Sequence, residues 1–216
     1  MKVRSVIFDL DGTLLNTLEM IKECNNELLS HHGFPQRALA EYRLFVGYGM
    51  RNLLKKALPD GTSDEIIERL VPEVIEIYHK RGADMIPPYE GINEMLDTLV
   101  GKGVKISILT NKEHSYAILN AKTALSNYHF ETIIGERPGM PIKPDPKGVF
   151  EIVEMTGVPL SETIFVGDMK ADILTGKNAG VLAVGCLWGF GDKKDLENAG
   201  ADLLIAHPME LLKIID

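Results

Sequence analysis

Short, continuous apolar runs recur along this 216-residue chain, and they limit its fold more than any other feature. They lack the apolar-polar alternation of half-exposed strands, so they suit strands that are buried on both faces. Helical patterns lie between them, and this alternation is typical of an α/β fold with a doubly wound parallel sheet. The apolar runs are residues 3–8, 104–109, 132–134, 163–166, 182–184 and 202–205, and the helical patterns are residues 91–102, 114–126, 146–156 and 172–179.

A long segment after the first run does not follow this alternation. Residues 16–83 show helical periodicity and no convincing strand, so we predict an all-helical cap inserted after the first strand. The α/β core then comprises residues 1–15 and 84–216. Pro72 lies inside the last helical pattern of the cap, where it removes a backbone hydrogen bond and predicts a kink or a break.

The charge of the chain argues against polyanionic partners. Its formal net charge is −8, and no block of Lys and Arg is long enough to follow a nucleic-acid backbone or an anionic membrane. No apolar segment approaches the ~18 residues of a membrane span, and two early aspartates interrupt the N-terminal apolar stretch before a signal sequence could form. We therefore expect a cytoplasmic protein, and the sequence leaves open whether it is a monomer or a homodimer.

Polar residues follow several of the apolar runs, at the points where the predicted strands end. In an open parallel sheet, ligands bind beyond the carboxyl ends of the strands, because loops and helix N-termini meet there. Residues at these positions are therefore the candidates for a functional site. They are Asp9, Asp11, Thr110, Asn111, Lys143, Asp168 and Asp172.

Asp9 and Asp11 are two positions apart, so their side chains point the same way in extended backbone. Gly12 lets the chain turn sharply beside them. If Asp168 converges with them, the three carboxylates repel each other unless a hard cation lies among them, and Mg²⁺ prefers such oxygen ligands. The alternative is that the pair only shapes a turn or caps the next helix.

The other candidates also have a functional and a structural interpretation. Thr110 and Asn111 could hold phosphate oxygens at a helix start, or could simply cap that helix. Lys143 could balance a phosphate and a carboxylate, or could be an ordinary surface lysine. Asp168 and Asp172 are four apart and stack on one face if a helix starts between them. One could then bind the metal while the other orients Lys143 or a metal-bound water.

Together these segments resemble the four motifs of the haloacid dehalogenase (HAD) superfamily, in its phosphatase branch. The segments are FDLDGTLLNT (residues 8–17), LTN (109–111), KP (143–144) and VGDMKAD (166–172). The cap segment FVGYGMRNLLKKAL (45–58) resembles the corresponding part of phosphoglycolate phosphatase-like members. The resemblance covers the whole chain and implies a Rossmann-like core with an inserted helical cap.

The resemblance implies a phosphatase that hydrolyses small phosphate monoesters, with a small phosphorylated metabolite as substrate. Asp9 would be the nucleophile that forms an aspartyl-phosphate, and Asp11 would be the general acid and base. Thr110, Asn111 and Lys143 would bind the transferring phosphoryl group.

The resemblance also implies a Mg²⁺ site. Asp168 would bind the ion together with Asp9 and the backbone carbonyl of Asp11, with Asp172 in support. Met169 stands where many relatives have a small hydroxyl residue, so one hydrogen bond near the metal is expected to be missing. The loop of residues 135–143 contains an arginine and two prolines, and its contact with substrate is left open.

Substrate specificity is expected to come from the cap. Residues 47–51 contain two glycines around Tyr48, followed by Arg51, and both side chains are candidates for substrate contact. The alternative is a helix-helix turn with an exposed arginine, because glycine pairs mark turns by themselves.

Several other functions share parts of this pattern. A phosphomutase of the β-phosphoglucomutase type has the same fold and motifs, and a pyrophosphatase or a nucleotidase also fits. A phosphorylatable receiver domain combines similar residues but is shorter and lacks a cap. A dehalogenase is disfavoured because it has no use for Asp11 as a proton donor.

Overall fold

The centre of the molecule is the parallel sheet that the apolar runs predict. The computed structural model describes residues 2–81 and 86–215. Within them, six parallel strands lie in the order β3-β2-β1-β4-β5-β6, so strands β1, β2 and β4 are central neighbours. The strands are β1 (Ser5–Phe8), β2 (Lys105–Glu113), β3 (Ile133–Glu136), β4 (Thr163–Gly167), β5 (Leu182–Cys186) and β6 (Leu203–Ile205).

Among the described residues, helices pack against the sheet through three separate apolar clusters. Val6 and Phe8 of β1 belong to one cluster and Ile7 belongs to another, as the period of two in a strand requires. The doubly wound α/β arrangement is therefore confirmed. The helices that follow the cap are α5 (Ile92–Gly101), α6 (His114–Ala124), α7 (Lys147–Thr156), α8 (Lys170–Ala179) and α9 (Lys193–Asn198), with short 3₁₀ helices at Leu160–Glu162 and Pro208–Ile214.

Among the described residues, four helices lie between β1 and α5, and we call them the cap helices. They bury an apolar cluster of their own, to which the sheet side of the molecule contributes Tyr116 and Phe190. The proposed boundary at residues 83 and 84 lies outside the described residues, so the exact division stays a prediction. The cap helices are α1 (Leu18–His31), α2 (Leu39–Phe45), α3 (Gly49–Ala57) and α4 (Asp64–Arg81).

The segment that leads from β1 to the cap helices runs beside the segment that leads from the cap helices to α5. Asn16 N donates to Pro87 O at 3.0 Å, and Tyr89 N donates to Leu14 O at 3.2 Å. The two connections between cap helices and core therefore run side by side and are hydrogen-bonded to each other.

Pro72 does not break its helix. Helix α4 continues through it from Asp64 to Arg81. Pro72 and Glu68, the residue four positions earlier, are both exposed, so water can reach the carbonyl that loses its donor.

Among the described helices, none is long and apolar enough to span a membrane.

Candidate active site

A cavity of about 70 Å³ lies between the sheet edge, by which we mean the carboxyl ends of β1, β2 and β4, and the cap helices. Six of the seven predicted strand-end residues line it, whereas Asp168 is fully buried beside it. The topology causes this convergence, because parallel neighbours end at the same edge. The six are Asp9, Asp11, Thr110, Asn111, Lys143 and Asp172.

Lys143 is at the centre of the charged part of the site. Its Nζ lies 2.7 Å from Asp9 Oδ1 and 2.6 Å from Asp172 Oδ1, and its side chain is only 3% exposed. The interpretation of Lys143 as a surface lysine is therefore wrong. Burial lowers the pKa of Lys143, but the carboxylates of Asp172 and Asp9 outweigh burial and raise it, so the ammonium stays charged.

The carboxylates around Lys143 carry more negative charge than one lysine balances. Asp9, Asp168 and Asp172 each offer an oxygen, and the three oxygens lie within 4.8 Å of one another. Burial raises the pKa of Asp9 to about 7 against the opposing effect of Lys143, and the charge of Asp172 raises it further. Burial and then the charges of Asp172 and Asp9 also raise the pKa of Asp168. A cluster of buried carboxylate oxygens with surplus charge fits a hard divalent cation such as Mg²⁺.

Asp168 is held on both oxygens by neutral donors. Thr13 Oγ1 donates to Asp168 Oδ1 at 2.8 Å, and Phe190 N donates to Asp168 Oδ2 at 2.7 Å. Gly12 has a φ of +87°, and a Cβ at this position would overlap the Asp168 carboxylate. The glycine after the two aspartates therefore serves both the turn and the close approach to Asp168.

Asn111 joins the segments around the site through its side chain. Its Oδ1 accepts from Lys143 N at 2.8 Å, and its Nδ2 donates to Lys143 O at 3.2 Å and to Gly47 O at 2.9 Å. Thr110 lies beside it, and Thr110 Oγ1 accepts from Lys112 N at 3.3 Å. Asn111 therefore fixes the backbone of the site lysine, and its amide also reaches the cap segment.

The alternative in which Thr110 and Asn111 cap helix α6 is wrong. Strand β2 continues to Glu113, and the Glu113 carboxylate accepts hydrogen bonds from Ser115 N and Tyr116 N. The capping residue is thus a glutamate, which is less usual than Ser, Thr, Asp or Asn at this position. Thr110 and Asn111 lie in extended backbone at the end of β2.

Asp11 has a cationic partner, Lys112, that lies outside the four motifs. Lys112 Nζ lies 2.9 Å from Asp11 Oδ1 and 3.0 Å from Asp11 Oδ2. The same ammonium lies 5.6 Å from the ring centroid of Tyr78 and 4.9 Å from that of Tyr116. A sequence signal existed, because Lys112 directly follows the LTN segment, but nothing local shows that its side chain reaches Asp11.

The cap contacts the site through residues 46–50. Besides the bond from Asn111 to Gly47, a Cβ at Gly47 would come within 2.9 Å of Met169 Cε. A Cβ at Gly49 would likewise come within 2.7 Å of Glu136 Oε2. The Met169 side chain thus packs against the cap and lines the cavity, where a small hydroxyl residue would leave space.

A second cap contact reaches the loop that holds Asp168. Arg43 Nε donates to Phe190 O at 2.7 Å, and Arg43 Nη2 donates to Gly189 O at 3.3 Å. Since Phe190 N donates to Asp168, helix α2 of the cap is two hydrogen bonds away from the carboxylate cluster. The sequence gives no signal for this contact, because the residues are 147 positions apart.

The two candidate specificity residues, Tyr48 and Arg51, make contacts with other side chains of the cap. Arg51 pairs with Glu68 at 2.5 Å and with Asp64 at 3.0 Å on the surface of the cap. The Tyr48 ring lies 5.9 Å from Lys56 Nζ. Neither Tyr48 nor Arg51 is among the described residues that line the cavity, so their contact with substrate stays a prediction.

In the loop before Lys143, Arg137 pairs with Glu151 at 2.6 Å instead of facing the site.

Comparisons with known proteins point to one family of hydrolases. Residues 6–186 match the sequence profile of haloacid dehalogenase-like hydrolases. The phosphoglycolate phosphatase of Caulobacter vibrioides is 34% identical over 214 residues, which cover 97% of this chain and 89% of that protein. The phosphoglycolate phosphatase of Aquifex aeolicus is 32% identical over 219 residues, which cover 99% of this chain and 97% of that protein.

Solved structures share the fold over the full chain. The crystal structure of a predicted phosphoglycolate phosphatase from Haemophilus somnus superposes with a TM-score of 0.88 at 21% identity, covering 99% of this chain and 98% of that one. This likeness covers the α/β core and the cap helices together.

Proposed function

The chain belongs to the haloacid dehalogenase-like hydrolase family and is a phosphatase of the phosphoglycolate phosphatase type, and from this premise we propose that it hydrolyses small phosphate monoesters through an aspartyl-phosphate at Asp9. The reaction depends on Mg²⁺. Phosphoglycolate, which the names of the relatives give as their substrate, is the first candidate substrate.

The cluster around Lys143 is the observation that carries this proposal. Its ammonium contacts Asp9 and Asp172, and all three groups are buried at the sheet edge. Phosphoryl transfer needs mainly positioning and neutralisation of charge, and a buried lysine beside a carboxylate nucleophile supplies both. A turn or a structural ion pair would not need two buried carboxylates on one lysine with a third, Asp168, close beside them.

Asp9 and Asp11 divide the chemistry between them. A carboxylate oxygen of Asp9 attacks phosphorus, the bond from phosphorus to the leaving alcohol breaks, and Asp11 gives the leaving oxygen its proton. Water then loses a proton to Asp11 and attacks the same phosphorus, which releases phosphate and restores the Asp9 carboxylate. Lys143 stabilises the negative charge on the phosphoryl oxygens in both steps.

Asp9, Asp168 and the backbone carbonyl of Asp11 would hold the Mg²⁺ ion, and Asp172 supports the site through Lys143. The bound ion supplies a positive charge that offsets the carboxylates and the phosphoryl oxygens. Thr13, Phe190 and Gly12 keep Asp168 in place for this role.

The cap helices complete the site by excluding bulk water. The cavity is bounded on the cap side by apolar groups, including Val46, Met50 and Leu53. Exclusion of water strengthens the electrostatic interactions of Lys143 and protects the intermediate from side reactions.

A panel of phosphate esters tests the proposal. Phosphoglycolate, a glucose phosphate, pyrophosphate and a nucleotide are assayed for phosphate release with Mg²⁺ and with a chelator, using the wild type and Asp9→Asn. We expect Mg²⁺-dependent release that is highest with phosphoglycolate, and a loss of at least about 10³-fold in Asp9→Asn.

Two results would contradict the proposal. One is the absence of phosphate release from every ester of the panel, and the other is full activity of Asp9→Asn. Conversion of the glucose phosphate into an isomer without free phosphate would replace the hydrolase with a mutase.

A further inference from the structure

Lys112 is a buried cation whose position the proposed catalytic steps do not explain. Its side chain is 7% exposed, and its Nζ contacts both oxygens of Asp11. The rings of Tyr78 and Tyr116 lie within 6 Å of the ammonium and stabilise its charge by cation–π interaction. An ammonium that is removed from water in this way needs an anionic partner.

Lys112 and Lys143 differ in the part of the substrate that each can contact. Both are cations among the described residues that line the cavity. Lys143 is held between Asp9 and Asp172, where the phosphoryl group is transferred. Lys112 faces the cavity next to Asp11, which is the side where the leaving alcohol receives its proton.

Among the described residues that line the cavity, Lys143 is the only cation besides Lys112. Tyr78, Tyr116 and Leu53 line this part of the cavity, and Glu113 is bound to the N-terminus of α6. A negatively charged leaving group would thus have the Lys112 ammonium as its counter-charge.

Distance decides which leaving groups reach Lys112. The ester oxygen must come within about 3 Å of Asp11 to receive its proton. Lys112 Nζ is itself 2.9 Å from Asp11 Oδ1, so an acid group one carbon away from the ester oxygen meets the ammonium. A substrate of this kind is the phosphate ester of a 2-hydroxy carboxylate.

We propose that Lys112 is a specificity-determining residue whose ammonium binds a carboxylate on the leaving group of the substrate. In the protein without substrate, the Lys112 ammonium is paired with Asp11. The substrate carboxylate then binds the ammonium together with Asp11 or in its place. The inference rests on the proposed phosphatase function and adds the residue that selects an anionic leaving group. The preference arises because a neutral group of the same size cannot form a charge-assisted hydrogen bond.

The test compares two esters that differ only in charge. Phosphoglycolate and its carboxamide analogue, phosphoglycolamide, are assayed with Mg²⁺ for the wild type, Lys112→Met and Lys112→Arg. The readout is the ratio of kcat/KM for the acid to kcat/KM for the amide. We expect the wild type to prefer the acid, Lys112→Met to lower this ratio by about 10- to 100-fold, and Lys112→Arg to retain part of it.

The ratio separates specificity from a merely structural role. If Lys112 only positions Asp11, Lys112→Met lowers the activity toward both esters by the same factor and leaves the ratio unchanged, which overturns the inference. An equal kcat/KM of the wild type for both esters also overturns it, while the proposed phosphatase function stands. If the wild type releases phosphate from neither ester, the proposed function and the inference fall together.

Discussion

The sheet edge and the cap segment of residues 46–50 face the same cavity, but they contribute different kinds of groups. The edge supplies buried charges that are fixed by one another, as in the ion pairs of Lys143 with Asp9 and Asp172. The cap segment supplies a backbone carbonyl, two glycines and apolar side chains. The difference indicates that chemistry depends on the edge, and that the shape of the closed cavity depends on the cap.

Replacement of the central cation should have the largest effect. Lys143→Met leaves Asp9 and Asp172 without their counter-charge and removes the cation that faces the phosphoryl oxygens. We expect kcat to fall by about 10²- to 10³-fold, measured by phosphate release at saturating substrate. Lys143→Arg, which keeps the charge, is the control, and a thermal melt of both variants separates lost chemistry from lost folding. A kcat close to that of the wild type in Lys143→Met would show that the edge does not carry the chemistry.

The carboxylate cluster should respond to Mg²⁺ and to pH. Because the pKa of Asp9 is raised to about 7, Asp9 binds a proton more readily in the folded protein without metal than in the unfolded chain, and its contribution to stability falls as pH rises from about 4 to 7. Bound Mg²⁺ removes this penalty, so it raises the melting temperature most at neutral and higher pH. In Asp168→Asn we expect an affinity for Mg²⁺ that is at least about tenfold weaker, read from the shift of the melting temperature with Mg²⁺ concentration. An unchanged shift would place the ion elsewhere.

Disturbing the contact between the cap segment and Met169 should have a smaller effect. The chain offers a matched pair of glycines with which to measure it. Gly47 and Gly61 both have positive φ values, +105° and +84°, but a Cβ at Gly47 meets Met169 whereas a Cβ at Gly61 meets nothing within 4 Å. Gly47→Ala and Gly61→Ala should each lose about 1 to 2 kcal/mol of stability from the backbone alone.

Only Gly47→Ala should lower kcat/KM, by up to about tenfold, because the new Cβ displaces the Met169 side chain, which lines the cavity. Equal activity of the two variants would show that the cap segment does not shape the closed cavity.

Arg51→Ala should have the smallest effect. Its guanidinium pairs with Asp64 and Glu68 on the cap surface, so we expect kcat/KM within about twofold of the wild type for every ester of the panel. An increase of KM by about tenfold for one substrate would instead place Arg51 in contact with it during catalysis.

The two regions also differ in how far the sequence predicts them. The edge was predictable because each apolar run specifies a buried strand, and the topology of a parallel sheet then brings Asp9, Asn111 and Asp168 together. The expected break at Pro72 was wrong, because the carbonyl that loses its donor lies on the exposed face of α4 where water can reach it, and a helical pattern alone does not reveal this. The capping role of Glu113 was missed because glutamate is a less usual N-cap.

The contacts of the cap with the edge were not predictable. Arg43 reaches the carbonyls of Gly189 and Phe190, and Gly47 reaches Asn111, only because the cap docks in one orientation. The partner of Lys112 depends likewise on how β2 lies beside the turn after β1. Such contacts follow from tertiary packing, and local sequence patterns carry no information about them.

Trapping of the covalent intermediate tests the central claim most directly. The wild type is mixed with excess phosphoglycolate and Mg²⁺, quenched with acid during the first turnover, and digested for mass spectrometry. We expect the peptide containing Asp9 to gain the mass of one phosphoryl group on Asp9, and Asp9→Asn to gain none and to release phosphate at least about 10³-fold more slowly. A phosphoryl group on another residue, or phosphate release at the wild-type rate by Asp9→Asn, would contradict it.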